Sequence, residues 1–439
     1  MELLSGNIRK LYFKFLSAAF GSALISSIYG MVDMAMVGQY EGPNGAAALA
    51  VVAPVWNIIY SLGLLTGIGG SVLFSAHRGR GSGEEQQYFT AAVIDSGILA
   101  ALAWVWIFVF ERGVLLFFGA DETLLPLAQA YLKPVKCVFP VFLLSQLLTS
   151  FLRNDNRPGL ATAAVLAGGI FNVFGDYFCV FALKLGVFGA GLATSIGAVV
   201  SLIVMASHFV SKKCTLRLVP VRNLAKLLGE ITVTGFSSFF VDVAMGILTV
   251  LFNRQIMRYL GADALAVYAA IINISTFVQC CAYSVGQAAQ PILSTNYGAK
   301  QPERIRWALR LALETSAVFG LAWTLLSELA PQLYIYIFMR PTQEILAIGA
   351  PMIRRYAVSF LLLPFNIFST YYFQSILRPK DSFIVSIARG LVVSGGLILA
   401  LPAVFVPDAI WWAMPVTELV TAVYAGLAMR RDTKALAEN

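Results

Sequence analysis

Three polar residues interrupt apolar stretches of the sequence and could together bind a cation or a proton. Asp33 lies about 22 residues into the first apolar run, where a carboxylate costs several kcal/mol unless it is paired, hydrated or protonated. Asn172 and Asp176 are four residues apart, so on a helix they share one face and their oxygens can converge on one ligand. Hard oxygen ligands suit sodium. Two neighbouring carboxylates suit proton exchange, because they repel each other unless a positive charge lies between them.

Structural roles stay open for the same residues. Asp33 precedes Glu41 closely enough to be a capped or paired acid near the outer end of a tilted helix. Asn172 and Asp176 could form a hydrogen-bonded clasp between helices. Ion binding is the preferred interpretation, and the two roles are compatible.

The chain that must position these residues has the composition of a membrane protein. Of its 439 residues, 59% are apolar and 12% are charged, with a mean hydropathy of +0.77. A soluble chain carries about a quarter charged residues, so a soluble enzyme is excluded. Since each crossing needs about 20 apolar residues, no room is left for a separate catalytic domain. No small-residue cleavage site follows the first apolar run, so we expect no removable signal peptide.

Gly, Pro and charged residues divide the chain into twelve apolar runs, which we predict to be membrane-spanning helices. The predicted spans are 11–38, 46–76, 88–110, 124–151, 159–182, 188–210, 227–258, 264–297, 305–329, 343–376, 382–404 and 408–429. The predicted fold is an all-α membrane protein with twelve transmembrane helices in two pseudo-symmetric six-helix bundles.

The two halves of the chain repeat each other. At an offset of 219, Gly42 meets Gly261, and at 221 the pair Arg157-Pro158 meets Arg378-Pro379. An even number of spans in each half makes the repeats parallel, which places a transport site between two bundles. The predicted division is an N-lobe over 1–211, a basic cytoplasmic linker over 212–226, a C-lobe over 227–429 and a cytoplasmic tail over 430–439.

The distribution of positive charge predicts the orientation. With the N-terminus inside, 21 of the 31 Lys and Arg residues are cytoplasmic, and only five, of which Arg340 is the last, lie on or near the outer ends of spans. This asymmetry follows the positive-inside rule, so both termini are expected in the cytoplasm. The net charge of +8 then requires no nucleic-acid partner.

Short motifs along the spans point to a family. They are Tyr29-Gly30-Met31-Val32-Asp33-Met34-Ala35-Met36-Val37-Gly38, Asn172-Val173-Phe174-Gly175-Asp176, Asn253-Arg254-Gln255 and Gly286-Gln287-Ala288-Ala289-Gln290-Pro291. In their order and spacing, the whole chain resembles the multidrug and toxic compound extrusion (MATE) family, and within it the bacterial branch that includes MepA and DinF.

The resemblance implies a secondary antiporter of the bacterial cytoplasmic membrane. Such a protein exports amphipathic, often cationic, organic compounds in exchange for protons or sodium, by rocking of two six-helix bundles. The implied partners are the small organic substrate and the lipid bilayer, and no cofactor is expected besides the coupling ion. A monomer is expected.

The resemblance also assigns roles to individual residues. Asp33, Asn172, Asp176 and Thr194 match the proton or sodium site of the family's N-lobe. Tyr131 resembles a pocket tyrosine of the same lobe. Because Thr194 lies in a Gly/Ala-rich segment, helix packing is its alternative role.

Asp242 is the third acid to which the resemblance gives a role. It lies midway along the seventh span and corresponds to an acid that faces the substrate cavity and meets a cationic substrate. Its alternative role is a salt bridge to Arg354 or Arg389. Met36 and Met245 would add adaptable apolar contacts to the substrate, although such methionines often only pack.

Two departures from the family pattern stand out. The usual proline early in the first and seventh helices is replaced by Leu16-Ser17-Ala18-Ala19 and Gly235-Phe236-Ser237, which puts bending of the first helix in doubt. The tenth helix holds only an amide, Asn366, where the sodium-coupled branch has a carboxylate. The coupling site is therefore expected in the N-lobe.

Basic residues near the outer ends of the fourth and tenth spans complicate the assignment of a cationic substrate. Lys133 and Arg354 correspond across the repeat and are candidate substrate contacts; Lys136 and Arg355 lie beside them. Because positive charge repels a cationic substrate, we expect these four to pair with acids inside the spans, namely Asp33, Asp176 or Asp242. Otherwise the protein would be a flippase or exporter of anionic, zwitterionic or lipid-linked amphiphiles.

Other charged residues are expected to be structural. We predict that Asp95 and Glu314 form cytoplasmic ion pairs with arginines among Arg78, Arg80, Arg306 and Arg310, and that Glu418 holds Arg389. The five cysteines have no spacing typical of a metal site or disulfides, so we expect them to be buried thiols. His77 and His208 end spans without a nucleophile at useful spacing, so an enzyme finds no support.

Overall fold

The computed structural model describes residues 2–338 and 341–438, without the side chains of Tyr29, Pro43 and 436–438. Arg340, which we expected at the outer end of a span, lies outside the described residues. Within the described chain, twelve helices are long and apolar enough to cross a membrane. They are α1 Ile8–Glu41, α2 Asn44–Arg80, α3 Glu85–Phe117, α4 Leu124–Asn154, α5 Pro158–Ala182, α6 Gly186–Val210, α7 Leu224–Tyr259, α8 Ala262–Gly298, α9 Pro302–Leu329, α10 Gln343–Ser375, α11 Pro379–Val404 and α12 Pro407–Ala435. Two further helices, Glu2–Ser5 and Pro331–Phe338, are too short to cross a membrane. The described residues form no strand. The predicted all-α fold of twelve membrane helices is confirmed.

Several helices of both halves depart from regular α geometry. A 3₁₀ segment interrupts α4 at Lys136–Val138 and α10 at Val358–Leu361. A π-helical segment lies in α5 at Tyr177–Ala182 and in α11 at Ala388–Val392. By contrast, α1 and α7 run without interruption, in keeping with their missing prolines.

The corners between helices repeat at the offsets found in the sequence. Gly42 and Gly261 both have positive φ before α2 and α8, and Gly81 and Lys300 both have positive φ after these helices. The pair Asn156 and Leu377 repeats the pattern after α4 and α10. The two halves therefore share their turn geometry even where the residue types differ, because the same corner must be turned.

The chain forms two compact units. The first, here called the N unit, is Gly21–Phe239, and the second, the C unit, is Met1–Phe20 with Phe240–Asn439. These bounds fall inside α1 and α7, whereas the sequence suggested lobes over 1–211 and 227–429. Packing accounts for the difference, since Leu11, Tyr12 and Phe15 lie in the apolar core of the C unit.

The start of α7 belongs to the N unit for an equally local reason. Gly235 lies so close to the backbone of Leu65 in α2 that a Cβ would overlap the Leu65 carbonyl, and Gly69 meets the Ile231 carbonyl in the same way. Small residues let two membrane helices approach this closely. The glycines thus hold the first turns of α7 against α2.

The segment between α6 and α7 is extended and held by side chains of α3. The amide of Gln86 donates to the Thr215 carbonyl at 2.8 Å and accepts from the Arg217 amide at 2.8 Å. The Thr90 hydroxyl accepts from the Val219 amide at 3.0 Å. The predicted basic linker is therefore docked along its length, and α7 begins at Leu224.

Candidate functional site

The predicted coupling residues form one buried hydrogen-bonded network in the N unit. Tyr131 of α4 donates its hydroxyl to Asp33 Oδ2 of α1 at 2.7 Å. Thr194 of α6 donates to the same oxygen at 3.4 Å. Asn172 of α5 donates to Thr194 Oγ1 at 3.0 Å and lies 3.5 Å from Asp176 Oδ1. Four helices thus bring together the five residues, all of them buried.

Small residues allow α6 to approach the helices on either side of it. A Cβ on Gly191 would overlap the Tyr131 carbonyl of α4. On the other face, a Cβ on Gly197 would lie 2.7 Å from the Gly168 carbonyl of α5, and one on Gly175 would lie 3.0 Å from the Ala193 Cβ. The Gly/Ala-rich sequence around Thr194 therefore serves packing, and this packing brings Thr194 to Asp33.

The network is rich in acceptor oxygens that the described protein does not satisfy. Asp33 Oδ1, Asn172 Oδ1 and Asp176 Oδ2 are buried and receive no hydrogen bond from an amide, hydroxyl or basic group in the described part of the chain. The carboxyl groups of Asp33 and Asp176 lie within hydrogen-bonding reach of each other. A buried acceptor without a partner costs about 1–3 kcal/mol, more if charged. Such oxygens, two of them from carboxylates, form an environment that a proton or a small hard cation would stabilise.

The other proposed substrate contacts do not share in this network. Asp242 of α7 is half-buried in the C unit and accepts a hydrogen bond from Tyr283 at 3.3 Å. Met36 and Met245 are half-buried. Tyr131, which the resemblance makes a candidate substrate contact, belongs to the network through its hydrogen bond to Asp33.

The expected pairing of the basic residues with the intramembrane acids is wrong. Lys136 pairs with Glu111 at 2.8 Å, Arg354 with Glu328 at 3.9 Å, and Arg355 with Asp408 at 3.0 Å. Lys133 is exposed and makes no ion pair with any described residue. These basic side chains find acids near the ends of neighbouring helices, which lie closer than the mid-span carboxylates.

The predictions for the remaining acids are partly confirmed. Glu418 pairs with Arg389 at 2.8 Å, both buried, and Glu314 pairs with Arg310 at 2.7 Å on the surface. The prediction for Asp95 is wrong, because it is buried and makes no ion pair among the described residues. Arg78, one of its expected partners, instead binds Asp155 at 3.0 Å.

Sequence reasoning missed a buried cluster centred on Asp155, just after α4. His208 Nε2 lies 2.7 Å from Asp155 Oδ2, and the Thr215 amide donates to the same oxygen at 3.0 Å. The Thr215 hydroxyl and Arg78 share the other oxygen. Asp155 and His208 both lie at the cytoplasmic ends of predicted spans. This shared position is the sequence signal that could have revealed the cluster.

The five cysteines are free, and Cys179, Cys280 and Cys281 are buried as expected. Cys137 is exposed and Cys214 half-buried, so burial was the wrong expectation for these two. Cys137 lies within the 3₁₀ segment that interrupts α4, and Cys214 lies in the segment between α6 and α7.

Comparison with known proteins gives a consistent result. The MatE family model matches residues 18–178 and 237–395. The multidrug export protein MepA of Staphylococcus saprophyticus is 24% identical over 409 residues, which span 92% of this chain and 90% of that protein. MepA of Staphylococcus aureus is 22% identical over 407 residues, which span 92% and 89%.

Solved structures share the fold. An outward-facing conformation of a multidrug resistance MATE family transporter of the MOP superfamily gives a TM-score of 0.92 at 21% identity, covering 100% of this chain and 98% of that one. A MOP superfamily transporter from Pyrococcus furiosus gives the same values. At this identity, the likeness concerns the fold alone.

Proposed function

Because the chain belongs to the MatE family, we propose that it exports organic compounds from a bacterial cell in exchange for protons or sodium, by alternating access of its two helix bundles. The chain is a multi-pass membrane protein whose curated relatives are multidrug export proteins rather than enzymes. The excess of Lys and Arg on one side supports cytoplasmic termini.

The observation that carries the proposal is the network around Asp33. Two buried carboxylates, one amide and two hydroxyls lie together, with three oxygens left without donors from the described chain. Among the described residues, no Lys or Arg side chain pairs with Asp33 or Asp176 and neutralises these acids permanently. A mobile cation can therefore enter and leave this site, and its arrival changes the local charge, which is what coupling requires.

The direct test replaces Asp33 by Asn, which keeps the size of the side chain but removes its charge. In vesicles with separately imposed pH and sodium gradients, Asp33→Asn should reach the membrane and fold, yet lose ion-driven export of a cationic dye. Asp263→Asn, an exposed aspartate in the first turn of α8, is the matched control and should transport normally. Gradient-driven export by Asp33→Asn would overturn the proposal.

We further propose a cationic substrate with Asp242 as one of its contacts. Three of the four basic residues that suggested an anionic substrate are held by Glu111, Glu328 and Asp408. Asp242→Asn should weaken binding of a cationic dye, while Arg354→Ala and Lys133→Ala should leave it unchanged. Binding of anionic lipid that disappears in Arg354→Ala or Lys133→Ala would favour the flippase alternative.

A further inference from the structure

A small cavity of the N unit, lined by both polar and apolar groups, adjoins the coupling network. Asn172 and Thr194 belong to both. Away from the network, the cavity is lined by Ser145 and Thr149 of α4 and by Ser201 and Met205 of α6. The space that the centres of water molecules can occupy in this cavity is about 70 Å³. Since one water needs about 10–15 Å³ of such space, several waters fit.

The cavity extends in one direction from the network. From Thr194 to Met205, α6 advances about 16 Å at 1.5 Å per residue. Met205 lies in the last turn of the α-helical part of α6, which ends at Ala206. With the N-terminus in the cytoplasm, as proposed above, this end of α6 is the cytoplasmic one. The cavity therefore lies on the cytoplasmic side of Asp33 and Asp176.

Two polar atoms at the cavity lack a partner and indicate that it is wet. Ser145 Oγ and Asn172 Oδ1 are buried, with residue exposures of 7% and 3%, and neither is hydrogen-bonded within the described part of the chain. Ser201 and Thr149 donate to backbone carbonyls of Ala164 and Ser145 at 2.9 and 2.7 Å, which leaves their lone pairs as acceptors. Waters in the cavity would satisfy these groups.

The Asp155 cluster lies about one helical turn beyond the last residue of α6 that lines the cavity, Met205. The Thr149 hydroxyl donates to Met205 Sδ at 3.5 Å, and both side chains line the cavity. His208 follows Met205 by three residues, one turn further along the same helix, and binds Asp155 at 2.7 Å. The charged or titratable neighbours of this pair are Arg78 and the half-buried Cys214. Exposed Lys212 and Lys213 lie next along the chain.

We propose that protons leave the coupling network for the cytoplasm inside the N unit, through this cavity and across the His208–Asp155 pair. This inference rests on the proposed function and adds the identity of the coupling ion and its path. A proton on the Asp33–Asp176 pair passes to cavity water, then past Met205 to the imidazole of His208, and from there to solvent. Histidine suits the last step because its two ring nitrogens can accept a proton on one side and donate one on the other.

The arrangement favours protons over sodium and over a bound metal. The donor atoms of Asp155, His208 and Cys214 lie within 4.8 Å of one another, a spacing that could hold a metal ion. However, the Arg78 guanidinium lies 3.0 Å from Asp155, and Thr215 donates to both carboxylate oxygens. A cation at this position would meet a fixed positive charge, whereas a proton moves by exchange along hydrogen bonds.

The first experiment fills the cavity. Ala198 lines it, and Ala198→Leu places three additional carbon atoms in the water space. Proton uptake in exchange for a cationic dye, driven by a pH gradient in sodium-free vesicles, should slow markedly, while binding of the dye stays unchanged. Ala163→Leu, on the exposed face of α5, is the matched control and should behave like the wild type.

The second experiment tests the end of the path. His208→Gln keeps a polar side chain but cannot carry a proton as imidazole does, so proton uptake should slow while dye binding and thermal unfolding remain at wild-type values. His77→Gln changes the other histidine of the chain, whose Nδ1 lies 3.0 Å from the Leu73 carbonyl, and should not slow uptake. A purely structural role for His208 would lower thermal stability without this selective loss.

Wild-type proton uptake in both Ala198→Leu and His208→Gln would overturn the path. Transport driven by sodium alone would overturn it as well. Neither result would touch the coupling site, which is judged by Asp33→Asn. Conversely, if Asp33→Asn still transports, the proposed function fails whatever the cavity variants show.

Discussion

The hydroxyl of Tyr131 and the carboxylate of Asp33 are joined by a 2.7 Å hydrogen bond between α4 and α1, buried within the N unit. It is shorter than the second hydrogen bond to Asp33 Oδ2, which Thr194 donates at 3.4 Å. The phenol therefore stabilises the carboxylate when no ion is bound and competes with the ion for the same oxygen.

Tyr131→Phe should consequently tighten ion binding. Without the phenol, no Tyr131 hydroxyl competes with the ion for Asp33 Oδ2. A hydrogen bond to a charged group contributes about 1.5–3 kcal/mol. The ion concentration for half-maximal transport should therefore fall by roughly tenfold. The measurement is the initial export rate against ion concentration. Tyr268→Phe, in the core of the C unit, is the control. An unchanged half-maximal concentration would remove Tyr131 from the coupling step.

Close packing at Gly191 should be as important as the polar groups. In Gly191→Ala the new methyl overlaps the Tyr131 carbonyl, so α4 and α6 must separate, at a cost of about 1–3 kcal/mol. We expect a lower midpoint of thermal unfolding in detergent together with weakened coupling. Gly113→Ala in α3, where a methyl meets open space, should not destabilise the protein.

Much of the candidate site follows from the sequence, for a physical reason. A carboxylate such as Asp33 or Asp176 is expensive in a membrane, so its position alone marks it, and helical spacing places Asn172 with Asp176. The partners of Lys136 and Arg354 could not be predicted in this way. Glu111 and Glu328 lie near helix ends, where a charge is tolerated with or without a partner, and only the packing of helices decides which charges meet.

Irregular turns were also beyond sequence reasoning. The apolar runs located all twelve helices, because hydropathy depends on composition. The π segments at Tyr177–Ala182 and Ala388–Val392 depend on tertiary packing and leave no compositional trace. The Asp155 cluster stayed hidden because it joins residues far apart in the chain, such as Arg78, His208 and Thr215.

The buried pair of Arg389 and Glu418 yields a stability prediction. Arg389→Met leaves Glu418 charged and unpaired in the interior, which should destabilise the protein by about 3–5 kcal/mol. Adding Glu418→Gln should recover most of the loss, since the amide oxygen can still accept from Asn366. The exposed pair offers a control, because Arg310→Met should cost at most about 1 kcal/mol. No recovery in the double variant would contradict this account.

The repeated corners allow a reciprocal exchange. Lys300 has a φ of 53° where the first half has Gly81 at 67°, and a side chain in this region costs about 1–2 kcal/mol. Gly81→Lys should lower thermal stability. Lys300→Gly should raise it by a smaller amount, because glycine also gains freedom in the unfolded chain. If both variants melt at the wild-type temperature, the corners tolerate any residue.

The π segment directly after Asp176 gives α5 a tolerance in length. A π turn holds one residue more than the α-helical turn it replaces. Deleting one residue within 177–182 would restore an ordinary α-helix and leave Asn172 and Asp176 facing Thr194. Deleting one residue between 158 and 171 would instead turn the preceding part of α5 by about 100° relative to them. Natural variation in the length of this helix is therefore expected to collect on the far side of Asp176 from the start of α5.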